Sequence, residues 1–185
     1  MLKLSLTALL ATLVFSGCGD DGDDHNHVVD AAPAVIDAMP EPTFGFAADV
    51  TRATTLMTTA GDYVNDWGNF TDFAGFQDSN APHGPTVRVY INDTAAANEA
   101  TLAVGSVIIK QNFDAADVNM MSSITVMEKV AGFNPEAGDW FWAKFKPDGT
   151  TLMETPTMVK LAGKVTPCIG CHGDALGGDF VFLND

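Results

Sequence analysis

The sequence predicts an α+β domain, with an N-terminal helix, an antiparallel sheet of four to five strands and a short cysteine–histidine motif after the last strand. Three observations carry this. One stretch, 49–67, has apolar residues close to helical spacing. Four runs, 86–91, 106–111, 124–130 and 140–146, are β-branched or aromatic and bounded by turn formers. Pro147-Asp148-Gly149 is a strong turn signal at the end of the last run. A helix followed by a block of strands, rather than strict alternation, is the α+β pattern.

The chain opens on Lys3 and an apolar stretch from Leu4 to Phe15, too short for a comfortable membrane span. Positive start, apolar middle and small residues at the end make residues 1–17 an export signal. Its close, Phe15-Ser16-Gly17-Cys18, is similar to a bacterial lipobox, with Phe15 where leucine is usual. Two readings stand: a lipid-modified Cys18 on a bacterial membrane, or an ordinary secretory signal with an incidental cysteine. Cysteine arithmetic favours the first. Of 3 cysteines two lie together near the C-terminus, so Cys18 would otherwise be an unpaired thiol in an oxidising compartment. Residues 18–42 are rich in Asp, Pro and Ala, with too little bulky apolar surface to offset the entropy of ordering them. They read as a disordered acidic tether. His25 and His27 within it are solvated linker residues or a loose metal site, and are not expected at the domain's own site.

Residues 43–185 suffice for one domain. The formal charge of −15 excludes electrostatic attraction to nucleic acid or anionic lipid, and suits a docking partner with a basic face. Asp49 is the expected cap of the first helix, which carries Val50, Ala53, Leu56, Met57, Ala60 and Val64 on one face. The Gly-, Asp-, Asn- and Pro-rich segment 69–85 reads as a structured loop. Thr86 to Ile91 alternates like a half-buried strand, and Asn92 or Asp93 then caps a short helix through the alanines at 95–97. Strands at 106–111, 124–130 and 140–146 follow, and Thr150 to Met153 is placed to return antiparallel after the turn.

Cys168-Ile169-Gly170-Cys171-His172 has the spacing that attaches a c-type haem: two thiols add to the vinyl groups of one porphyrin, and the adjacent histidine becomes an axial ligand. An exposed dithiol or disulfide turn is the competing reading. No second cysteine pair or histidine cluster completes a four-ligand zinc site. The expectation is one covalent haem c on Cys168, Cys171 and His172. Small electron-transfer cytochromes c are helical with the motif near the N-terminus, and cytochromes c′ are four-helix bundles. Neither fits four strands.

In order and spacing, several segments resemble the cytochrome P-460 family and the related cytochromes c′-beta. They are His83-Gly84 before Val87 to Asp93, Val104 to Lys110, Gly138 to Phe145 with Pro147-Asp148-Gly149, and Cys168 to His172 followed by Gly178 to Phe182. The likeness covers about residues 83–182. It implies a periplasmic mono-haem protein, often a homodimer, with an open or guarded sixth coordination position, acting on hydroxylamine or binding nitric oxide. It also implies a role for Lys110, since true P-460 cytochromes crosslink a lysine to the porphyrin. From the residues alone, Lys110 shares a strand face with Ser106 and Ile108 and either points at the haem or snorkels to water. Lys144 is a weaker candidate.

The sixth ligand is open on the sequence. Methionines 120, 121, 127, 153 and 158 are thioether donors or core filler. His83 is either a second axial histidine or a loop residue with a hydrogen-bonding role. Phe133, Trp140, Phe141, Trp142 and Phe145 serve as an apolar wall, as core, or as both. Glu128, Glu136 and Asp139 are candidate proton acceptors for catalysis. Two function classes therefore stand together. One is an enzyme oxidising hydroxylamine and passing electrons to a redox partner protein; the other is a non-catalytic cytochrome that binds nitric oxide or relays electrons. A haem-bearing sensor or structural lipoprotein is the third.

Overall fold

The computed structural model describes residues 42–114, 119–176 and 179–182. The expected export signal, Cys18 and all of the expected acidic tether except Pro42 lie outside the described residues. The observed architecture is α+β, one antiparallel sheet of six strands in the order β1-β2-β3-β4-β5-β6, with a helix ahead of it. Every strand therefore pairs with its neighbours in sequence, a meander whose register is fixed by the alternation of two buried faces.

Helix α1 runs Ala47–Ala60 and α2 Tyr63–Asp66. The expected single helix is divided at Gly61, whose positive φ ends the first segment. Asp49 falls in the first turn rather than at the cap, where Phe46 sits without a side-chain hydrogen bond. The strands are β1 Phe76–Asp78, β2 Thr86–Ile91, β3 Val107–Phe113, β4 Met121–Lys129, β5 Trp140–Phe145 and β6 Ala162–Gly163. The first and last were not expected. The segment 150–153 returns antiparallel to β5 through a bridge between Phe145 and Leu152, with the Lys146 amide donating to the Thr151 carbonyl and the Met153 amide to the Lys144 carbonyl at 2.8 Å each. Helix α3, Asp93–Ala96, is capped by Asn92, whose Oδ1 accepts from the Ala95 amide at 3.1 Å. The turn after β5 is closed by Asp148 Oδ1, which accepts from Thr150 and Thr151 amides at 2.8 Å each. Those two donors hold its carboxyl down to about 2.

Alternation divides the sheet into two apolar faces. Tyr90, Ile109, Val126, Phe141 and Phe145 pack with Ala53 and Ala60 of α1. Val89, Ile91, Ile108, Met127, Trp140 and Trp142 form the opposite face, against which Cys168, Ile169 and Phe180 pack. Helix α4, Thr166–His172, carries the cysteine motif on this second face. Both faces are thus covered, one by α1 and one by the C-terminal segment, and the site lies under the latter.

Candidate functional site

A cavity of about 490 Å³ opens on the second face of the sheet. Cys168, Cys171 and His172 line it together with Lys110, His83 and Trp142. The motif forms one turn of helix because a proline at its start fixes the backbone and Ile169 packs into the sheet's apolar face. Cys168 is half-buried and Cys171 exposed, and neither is in a disulfide. Burial pushes the Cys168 thiol up to about 11, against the opposing charges of Lys144 and Lys110.

His172 is oriented by the chain that follows it. Its Nδ1 lies 2.7 Å from the Phe180 carbonyl oxygen. A carbonyl only accepts, so Nδ1 carries the hydrogen and Nε2 keeps the lone pair that a metal needs. The Phe180 segment is itself tied down. The Trp140 indole donates to the Asp179 carbonyl at 2.8 Å, and the Lys129 ammonium pairs with the Asp179 carboxylate. Burial lowers the basicity of His172 and so favours the neutral ring, an effect partly offset by the hydrogen bond to Phe180.

Lys110 stands in a row across the sheet, in register with Val89 on one side and Thr125 on the other, with Lys144 next along. It enters the cavity beside Cys168 rather than reaching away to water. Burial pushes its ammonium down to about 8; Cys168 opposes that shift and Lys144 adds to it. His83 comes from the β1–β2 loop. Gly84 beside it has positive φ, and a Cβ there would strike the Phe113 carbonyl oxygen, so the loop seats directly on the end of β3. The His83 ring lies 6.2 Å from that of His172, and its Nδ1 is 3.1 Å from Asn112 Oδ1. Burial, then the charges of Lys110, His172 and Lys144, push His83 down to about 3, so it is neutral at physiological pH.

The three candidate carboxylates stand elsewhere. Glu128 is on the opposite face, in register with Val107 and Phe141, where it takes a bidentate pair from Arg52 of α1 at 2.9 Å. The alternation Ile124, Val126, Glu128 carries that assignment, since the first two are core on the helix side. Asp139 serves a turn, accepting from the Gly132 and Asn134 amides at 3.0 and 3.2 Å. Glu136 is exposed on the 3-10 turn Pro135–Ala137. The carboxylate that does line the cavity is Asp78, on β1, in a segment read from sequence as loop. Of the methionines Met127 lines the cavity, and of the aromatic stripe Trp142; Phe133, Phe141 and Phe145 belong to the helix-side core.

These residues fit a haem. The donor set is an imidazole with a free Nε2 and two neighbouring thiols, set at the edge of an apolar cavity. Trp142 adds a buried Nε1–H with no partner among the described residues, which a bound group bearing an acceptor oxygen would satisfy. No curated protein matches the chain. The family model for Cytochrome P460 matches residues 65–183, which span the sheet, the cavity and the cysteine motif. The chain therefore belongs to the cytochrome P460 family and is a haem-binding cytochrome.

Proposed function

We propose that the protein is an exported, lipid-anchored cytochrome with one haem c, which Cys168 and Cys171 would hold covalently and His172 would ligate, and that it oxidises hydroxylamine or binds nitric oxide at that haem. The observation that carries this is the convergence of both thiols, the oriented imidazole and Lys110 on one cavity. When bound, the haem supplies an iron that takes small nitrogen ligands and changes charge one electron at a time. The chain's own part is to orient and to exclude water. The Phe180 carbonyl holds His172 in one tautomer and keeps its ring from turning. Phe70, Val89, Ile108 and Met127 keep the cavity apolar. Lys110, with its ammonium weakened by burial, is a donor that gives up its proton near neutral pH. Asp78, rather than Glu128 or Asp139, accepts protons at the cavity edge.

An electron relay without a small-molecule substrate is the second reading, favoured by the exposure of Cys171, which brings the motif to the surface where a redox partner protein docks. One set of measurements tests the proposal. Replacing Cys168 and Cys171 by alanine should turn a haem that resists acid–organic extraction into one that is extracted; haem that stays attached overturns the covalent assignment. The unaltered ferrous protein should shift its optical spectrum with nitric oxide, or its ferric form with hydroxylamine. A protein inert to both is a relay.

A further inference from the structure

We infer that His83 is a second axial ligand of the haem iron, so that a small molecule reaches the metal by displacing His83. The inference rests on the haem reading above and adds to it a means of controlling access. Four observations bear on it.

The first is distance. Imidazole nitrogens bind metals at about 2 Å, which sets the ring centroids of two histidines on one metal about 6 Å apart. His83 and His172 both line the cavity with centroids 6.2 Å apart. A non-bonded histidine with a substrate molecule between ring and iron would stand farther off.

The second is tautomer. Asn112 is fully buried, and its Nδ2 donates to the Ser123 carbonyl and hydroxyl at 3.2 Å each, so Oδ1 is the atom left to face His83. An amide oxygen only accepts, so His83 Nδ1 carries the hydrogen and Nε2 holds the lone pair. His172 is prepared the same way by Phe180. Metal-bound histidines regularly donate their other ring N–H to such an oxygen. Two histidines with this preparation line the same cavity.

Anchoring is the third. The loop holds His83 from both sides, with its amide donating to the Asn80 carbonyl at 3.0 Å and the Ser79 amide donating to the Pro85 carbonyl at 2.9 Å. Gly84 permits the close approach to Phe113. The fourth is composition. Of 4 histidines, the other two are His25 and His27 in the acidic stretch near the N-terminus, so the domain's whole complement is this pair on one cavity.

The test uses the haem-loaded full-length protein and reads coordination directly, by optical absorption and electron paramagnetic resonance of the ferric form. The unaltered protein should be low-spin with two nitrogen ligands. His83→Ala should keep its covalent haem, become high-spin, and return to low-spin on addition of free imidazole. Nitric oxide should bind the ferrous His83→Ala protein at least tenfold faster than the unaltered one. A high-spin, five-coordinate unaltered protein overturns the inference without any variant. So does a low-spin spectrum that His83→Ala leaves unchanged, which would direct attention to Met127. Absence of haem from the unaltered protein overturns the functional reading itself. A nitric oxide response with a five-coordinate iron overturns the role of His83 alone.

Discussion

Lys110 is the side chain whose position and surroundings are most at odds, an ammonium held among apolar groups with a second lysine, Lys144, on the same sheet face. Its folded value of about 8 lies below the 10.5 of an unperturbed lysine. The folded chain therefore sheds this proton more readily than the unfolded one, and between those two values the unfolded state binds more protons. Stability should accordingly rise with pH through that window, and the penalty is full below it. Removing the charge removes the penalty. Lys110→Met should be more stable than the unaltered protein at pH 7, by at most about 3 kcal/mol, with the gap narrowing as pH climbs from 8 to 10.5. Denaturant unfolding of both haem-loaded proteins at several pH values measures this. A gap that does not move with pH would mean that the amine is not free, as in a lysine bonded to the porphyrin. Thr125 and Asn112 bring polar atoms to the same sheet face, and Asn112 is satisfied on both ends of its amide.

At the scale of elements, the sheet is the frame and its two coverings are separate. Ala53 of α1 has no exposed surface and sits where the helix presses on Phe141 and its neighbours, on the face away from the cavity. Ala53→Leu should lift α1 and cost about 1–3 kcal/mol in unfolding free energy, while the haem spectrum of the folded protein stays as it was. A changed spectrum would show that the faces are coupled through the sheet. The same separation explains how much could be read beforehand. The four long strands declare themselves because each alternates between two buried faces, and the Cys168–His172 site is legible because its parts adjoin in sequence. Strand β6 is only Ala162 and Gly163, and its pairing is imposed by Trp142 and Ala143 rather than by its own residues. Strand β1 is hidden in a run of Gly, Asn and Pro, and Asp78 with it. Asn112 reads as the polar end of a strand, yet it is buried and continues β3, because its partners Ser123 and His83 come from elsewhere in the chain. Glu128 is a different case. The alternation of its neighbours Ile124 and Val126 alone assigns it to the helix-side face.

For the whole molecule, the question is where a small redox domain with a strongly acidic chain does its work. With a formal charge of −15 it is repelled by anionic membrane surfaces, so electrostatics cannot hold it there. Among the described residues no helix is long and apolar enough to cross a membrane. We propose attachment through the N-terminus, on the ground of the Ser16-Gly17-Cys18 sequence after an apolar stretch. A lipid adduct on Cys18 holds the chain by burying methylenes at about 0.8 kcal/mol each, a contribution that is insensitive to the protein's own charge. Intact mass spectrometry of protein purified from a bacterial membrane should find the mature chain beginning at Cys18 with a diacyl- or triacylglyceryl adduct, and Cys18→Ser should release the haem-loaded domain into the soluble fraction. A mature N-terminus at another residue, or a Cys18→Ser protein that stays with the membrane, would sink the anchor.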